Sequence, residues 1–243
     1  MTDSVLRRGF FVTGTDTGVG KTWVSVALLR ALRRAGVPAV GMKPVATGCR
    51  MREGVLVNDD ALLLQANGAL VLDYRQVNPY AFAPAVAPHI AAKLAGERID
   101  YAVIAEQYNC LQEIAGMVVV EGVGGWLVPL NETEDVAGLA GRLGLPVILV
   151  VGLRLGCINH ALLTAKAIVA AGCVLAGWVG NTLDPAMDYA AENLAALAEC
   201  VHAPCLAVLP YVTDAMRENG LNQAETALLA GLGRSGLLQS HGA

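Results

Sequence analysis

Directly after the apolar run Phe10–Thr13 stands Gly14-Thr15-Asp16-Thr17-Gly18-Val19-Gly20-Lys21-Thr22, and a stretch of helical pattern follows it. Residues of these types in this order can cradle phosphates. Glycines let the backbone turn so that successive N–H groups converge on phosphate oxygens at a helix N-terminus. Lys21 then brings a positive charge to the β- and γ-phosphates of a nucleotide, and the Thr22 hydroxyl can hold Mg²⁺. One position departs from the usual spacing: Thr15 stands where the first glycine is expected, and Gly14 lies one residue early. A turn that merely caps a helix would need neither Gly-Lys-Thr nor a buried strand before it.

A phosphate loop works with a carboxylate at the end of a neighbouring buried strand, where it reaches the metal directly or through water. Met117-Val-Val-Val-Glu121 puts Glu121 in such a place. An ionised carboxylate buried there without a cation would cost several kcal/mol, so Glu121 reads as a metal or catalytic group, the alternative being a solvated strand end. The following Gly122-Val-Gly124-Gly125 permits close backbone approach to a ligand or makes a tight turn. Asn58-Asp59-Asp60 precedes an apolar helical stretch; Asn58 or Asp59 as N-cap with Asp60 in the first turn explains it structurally, and a metal role for Asp60 stays open. Lys43 follows the run Ala39–Met42 and points toward an anion that Thr47 could share, unless it is an ordinary surface lysine. Asn181 can pair with a purine edge through its amide, adenine rather than guanine, because Asn181-Thr-Leu-Asp184 lacks the lysine of a guanine reader. Asp184-Pro185 reads as an N-cap with proline at the first helical position.

These residues need elements to place them. Short runs, apolar on both faces, recur at 10–13, 39–42, 117–120, 147–151, 174–179 and 205–209, and amphipathic stretches at 22–35, 135–143, 159–171 and 185–200 alternate with them. Such runs suit parallel strands buried between helix layers. The expected fold is α/β, a doubly wound, mainly parallel sheet with helices on both faces, of the P-loop NTPase type. Ligands in that fold gather beyond the C-terminal strand ends. Neither a repeat nor a low-complexity linker divides the chain, so one domain is expected over residues 1–243, with weak commitment after about Gly231.

Composition narrows the partners. The 243 residues are 55% hydrophobic and 16% charged, which excludes a disordered polyelectrolyte. Mean hydropathy is +0.51, yet charges or Gly/Pro breaks interrupt every apolar run before about 18 residues, the length of a spanning helix. The N-terminus shows no signal-peptide pattern, and a soluble cytoplasmic protein is expected. A net charge of −4 argues against nucleic acid and anionic membrane as partners. Of the six cysteines only Cys200 and Cys205, with His202 between them, invite a metal hypothesis, and buried free thiols are the ordinary alternative.

The phosphate loop with its extra residue, Lys43-Pro-Val-Ala-Thr47-Gly48, Val77-Asn78-Pro79-Tyr80, Glu121-Gly-Val-Gly-Gly-Trp126, Leu155-Gly156-Cys157-Ile158-Asn159-His160 and Gly177-Trp178-Val179-Gly180-Asn181 together closely resemble the ATP-dependent dethiobiotin synthetases. The likeness runs from about residue 8 to about 215. The loop alone is widespread, whereas the Gly-Cys-Ile-Asn-His block with the Lys-Pro-Val and Glu-Gly-x-Gly-Gly blocks is specific. The resemblance implies ring closure: 7,8-diaminononanoate, CO₂ and MgATP give a cyclic urea, ADP and phosphate, through a carbamate that attacks the γ-phosphate. It implies that Thr22, Asp60 and Glu121 hold Mg²⁺, that Lys21 and Lys43 stabilise carbamate and phosphates, and that Thr17 and Thr47 bind substrate or phosphate. Residues 14–22 with Glu121, Gly124, Asn181 and Pro210 fall to the nucleotide. Gly156, Cys157 and Asn159 would open a helix that captures the substrate carboxylate across a homodimer. His160 is expected to pack or cap there. Gly18 replaces a glutamate found in the middle of the loop in family members, which removes one contact to amine or metal.

Other ATPase classes fit less well. Partition and carrier ATPases carry a second lysine early in the loop, where this chain has Asp16. A glutamine-dependent amidoligase would need a glutaminase domain with a nucleophilic cysteine, and this chain ends first. A GTP-dependent switch is disfavoured by the missing lysine after Asn181.

Overall fold

The computed structural model describes residues 9–213 and 216–238. Residues 1–8, where the signal-peptide reading falls, and the last five residues of the tail lie outside them.

Six parallel strands form the central sheet: β1 (Gly9–Gly14), β2 (Ala39–Met42), β7 (Met117–Glu121), β8 (Val147–Leu153), β9 (Leu175–Thr182) and β10 (Cys205–Leu209). Their order is β10-β9-β8-β1-β7-β2. β1 lies between β7 and β8, so the chain winds outward on both sides of it and leaves a crevice beyond its C-terminal end. Every residue of β1, β2, β7 and β8 is buried, which explains their unbroken apolar character. Between and beside them run α1 (Lys21–Arg34), α2 (Asp59–Asn67), α3 (Tyr74–Val77), α4 (Pro88–Ala95), α5 (Tyr101–Ala115), α6 (Val136–Leu143), α7 (Cys157–Ala170), α8 (Ala190–Cys200) and α9 (Arg217–Arg234). Two small sheets complete the described residues: the parallel pair β3 (Val45–Thr47) and β6 (Tyr80–Phe82), and the hairpin β4 (Arg50–Arg52) and β5 (Val55–Val57). This is the doubly wound α/β fold that the alternating runs call for. Among the described residues no helix is long and apolar enough to cross a membrane.

Register aligns the strand ends that matter. Val12 faces Glu121 across β1 and β7, and Met42 faces Val120 across β2 and β7, so Lys43 emerges beside Glu121. On the other flank Asn181 lies within β9, opposite Gly152 of β8 and Leu209 of β10, which brings Pro210 to the same edge.

One local reading is corrected, and one open alternative is decided. The helix expected from Pro185 begins only at Ala190, because Asp184 spends its carboxylate on the N–H of Ala186 in a local turn, and the chain enters α8 through Tyr189 at φ +53°. Asp184 therefore does not cap that helix. At α2 the cap is Asn58, whose Oδ1 accepts from the N–H groups of Asp60 and Ala61, leaving the Asp60 side chain free to face elsewhere. Beyond Gly231, α9 continues to Arg234 with Leu232 fully buried.

Candidate functional site

The turn after β1 delivers α1 to the crevice, and it needs glycine to do so. Gly20 is the N-cap of α1 at φ +90°, a left-handed conformation that side chains strain to adopt. A Cβ at Gly20 would also fall 2.2 Å from Asn181 Nδ2. That amide donates to the Val19 carbonyl at 3.0 Å, so Asn181 braces the loop from two strands away.

Lys21 heads α1 and is 7% exposed. Its Nζ donates to the Asp16 carbonyl at 3.0 Å, back across the loop it closes. Burial, reinforced by the neighbouring Lys43 ammonium, lowers its pKa to about 8. Lys43 is buried more deeply still. Its Nζ donates to Glu121 Oε1 at 2.5 Å, to Asp60 Oδ2 at 3.2 Å and to the Gly122 carbonyl at 3.2 Å. Burial alone would favour the neutral amine, but the carboxylates of Glu121 and Asp60 outweigh it and hold the pKa of Lys43 above its ordinary value. Asn78 fixes the backbone beneath: its Nδ2 donates to the Lys43 carbonyl at 2.6 Å, while the Lys43 N–H donates to the Val77 carbonyl.

Thr22 Oγ1 donates to Glu121 Oε1 at 2.9 Å, which joins the loop to β7. Glu121 is 1% exposed, and its second oxygen, Oε2, is buried without a hydrogen-bond partner. A buried carboxylate oxygen left unpaired is costly unless a cation satisfies it. Thr22, Asp60 and Glu121 are hard oxygen donors around one cavity, the donor set that suits Mg²⁺ with water completing its shell. The side chains supply two ammonium and two carboxylate groups in near balance, so a polyanion entering here benefits from added positive charge.

The cavity has a volume of about 300 Å³ and brings together Thr17, Gly18, Gly20, Lys21, Thr22, Lys43, Thr47, Asp60, Glu121 and Gly124. Asn58, Ala46 and Val123 line it too; Asn58 was legible only as a cap. Gly14, Thr15, Asp16 and Val19 belong to the loop but do not line this cavity. Asp16 instead turns outward to Arg154, at 2.8 Å. Gly18 sits at φ +77°, and a Cβ there would meet open space.

Asn181 and Pro210 line a second cavity, of about 210 Å³. Trp23, Thr213 and Arg217, which sequence reasoning missed, also face it. Trp23 follows the phosphate loop immediately, and Thr213 follows the end of the last strand, so proximity to those ends was the available signal. Gly156, Cys157 and Asn159 line neither cavity. They open α7 with Gly156 at φ +92°, Cys157 buried, and Asn159 and His160 exposed. Among the described residues no three His, Cys, Asp or Glu side chains gather as a metal cluster, around Cys200 or elsewhere.

Comparison with known proteins gives the family. The family model described as "AAA domain" matches residues 8–219. The "ATP-dependent dethiobiotin synthetase BioD" of Pseudomonas aeruginosa (strain UCBPP-PA14) is 52% identical over 207 residues, covering 85% of this chain and 91% of its own. The protein of the same description from Chromohalobacter salexigens is 50% identical over 216 residues, with coverage of 85% and 91%. Among solved structures, a chain of the "MinC:MinD cell division protein complex, Aquifex aeolicus" shares the fold at a TM-score of 0.59 and 14% identity, over 93% of this chain and 95% of that one. The chain belongs to the ATP-dependent dethiobiotin synthetases, ligases built on the P-loop nucleotide-binding fold.

Proposed function

We propose that the protein closes 7,8-diaminononanoate, CO₂ and ATP into the cyclic urea dethiobiotin, releasing ADP and phosphate, as a cytoplasmic homodimer with one catalytic domain per chain. The observation that carries this reading is a phosphate loop facing the Lys43–Glu121–Asp60 cluster in one cavity. Such a site suits transfer of a phosphoryl group to the substrate itself, where positioning and charge do most of the work.

In this reading one amine takes up CO₂ as a carbamate, and a carbamate oxygen attacks the γ-phosphorus while ADP leaves. The second amine then attacks the carbamate carbon, expelling phosphate and closing the ring. Lys21 places its charge on the phosphates, exchanging the Asp16 carbonyl for a phosphate oxygen. Lys43, kept protonated by its carboxylates, offers a fixed charge to carbamate and transferring phosphate. Thr17 and Thr47 hold substrate or phosphate through their hydroxyls, and the backbone at Gly124 approaches the nucleotide. Thr22, Asp60 and Glu121 would hold Mg²⁺, which when bound neutralises charge on the phosphates. The second cavity would take the adenine base, with Pro210 beside it and one amide hydrogen of Asn181 already committed to Val19.

Phosphate release by the purified protein with MgATP is expected to require both bicarbonate and the diamine. Release that ignores the diamine would contradict the reading.

The free Lys21 ammonium loses its proton near pH 8, and a bound phosphate favours the protonated form. Binding above that pH therefore takes up a proton, so nucleotide affinity should be level below about pH 8 and fall by up to about tenfold per pH unit above it. Calorimetric titration across pH 7–10 checks this.

The α7 N-terminus is a helix end suited to a carboxylate, which would compete with the Arg154 carbonyl for the Cys157 N–H. Its placement away from the cavities of its own chain supports a shared site, as do the exposed Leu155 and Leu163 beside it. Mixing Asn159→Ala with Lys21→Ala subunits should restore about a quarter to a half of wild-type activity if each site draws on both chains. A confirmed heterodimer without activity would assign the site to one chain.

A further inference from the structure

The second cavity lies between two helices that are far apart in sequence. α1 contributes Trp23, and the start of α9 contributes Arg217, with Thr213 just before it. The two ends of α9 are held differently. Its C-terminal half is fixed by close packing: a Cβ at Gly231 would fall 1.8 Å from the Leu206 carbonyl oxygen of β10. Its first turn, residues 216–219, is exposed, and its buried residues begin at Gly220 and Leu221.

Arg30 of α1 reaches this first turn. Its side chain is 17% exposed, and Nη1 and Nη2 both donate to Glu218 Oε1 at 3.0 Å. Nη2 also donates to Asn222 Oδ1 at 2.8 Å, and Nε donates to Glu225 Oε2 at 3.2 Å. Residues 218, 222 and 225 form one stripe of α9, so a single planar fork grips three successive positions on it. Trp23 stands seven residues before Arg30, two turns away along the same face of α1. Trp23 of α1 and Arg217 in the first turn of α9 both line the cavity, so a shift of either helix alters its wall.

We infer that Arg30 is a positioning residue for the nucleotide base: by clamping Glu218, next to Arg217, it holds the α9 wall of the base cavity against Trp23. The inference rests on the reading of that cavity as the base site. It assigns Arg30 to recognition of the base and not of the phosphates, although Arg30 touches neither.

The test compares Mg-dependent binding of ADP with that of pyrophosphate, which lacks a base, by calorimetry on the full chain. Arg30→Met should weaken ADP by roughly three- to tenfold and leave pyrophosphate unchanged. Arg30→Lys should restore part of the ADP affinity, and Glu218→Gln, at a largely exposed position, should shift ADP in the same direction. An equal loss for both ligands, or no loss for ADP in either Arg30→Met or Glu218→Gln, overturns the inference. Wild-type protein that binds ADP no more tightly than pyrophosphate would sink the base-site reading itself, and this inference with it.

Discussion

Lys21→Met should lower turnover by about 10²- to 10⁴-fold, because the proposed role of Lys21 is that of a preorganised cation where charge gathers on the transferring phosphoryl group. The fold should not suffer. Lys21 is buried, and burial is the main cause of its lowered pKa, so the ammonium is held in the folded protein at a cost. The sign follows from linkage. With the folded pKa near 8 and the unfolded value at 10.5, the cost is fully present below pH 8 and is relieved as the pH rises toward 10.5. The variant should therefore melt at or above the wild-type temperature at pH 7. A large fall in turnover with undiminished stability separates a chemical role from a structural one. Near-normal turnover in the folded variant would remove Lys21 from the chemistry.

Glu121→Ala should damage both stability and activity. Lys43 would keep only Asp60, whose side chain is 40% exposed, as its anionic partner, and a buried cation stripped of its main counter-charge costs about 3–5 kcal/mol. Thr22 would lose its acceptor as well. Denaturant unfolding at pH 7 measures the first effect. The double variant Lys43→Met/Glu121→Ala should regain much of that stability, since replacing a whole buried pair is far less costly than breaking one. It should remain inactive. Glu121→Gln keeps the shape and an acceptor for Thr22, yet should require a much higher Mg²⁺ concentration for any turnover. If the double variant were as unstable as Glu121→Ala alone, the ion pair would not be the source of the loss.

Much of this site could be read before any coordinates, for a physical reason. The phosphate loop is local: strand, glycine turn, lysine and hydroxyl follow one another, so spacing alone announces the chemistry. Glu121 and Lys43 were legible as charges at strand ends, but not as partners. Their contact joins positions 78 residues apart and depends on strand register, which places Lys43 beside Glu121. Asp60 shows the limit of local reasoning. Its position in the first turn of α2 is sufficient for a bland helix start, and only the tertiary fold turns its carboxylate toward Lys43. Asn181 was read as a base contact, whereas its bond to Val19 also makes it a brace for the loop, across 162 residues.

The boundaries and the late helices were harder. Asp184-Pro185 has the composition of a helix start, but a local turn captured the carboxylate first and delayed α8. α9 lies where the sequence commits weakly to structure, and it contains Gly220, Gly231 and Gly233. In the fold, Gly220 and Gly231 allow close approach to Val212 and to β10, so residues that weaken a helix in isolation strengthen its docking. Arg217, at the start of that helix, was the part of the second cavity's wall hidden for that reason.

The central claim is that this cavity joins CO₂ to a diamine through a phosphorylated carbamate. It is tested most directly by a single turnover with MgATP, 7,8-diaminononanoate and bicarbonate labelled with ¹³C and ¹⁸O, read by mass spectrometry. In the proposed sequence the carbamate oxygen that attacks phosphorus leaves with it. The cyclic urea should therefore carry the ¹³C, and the inorganic phosphate should carry one ¹⁸O from bicarbonate. An unlabelled product, or phosphate whose new oxygen comes only from water, would contradict the account.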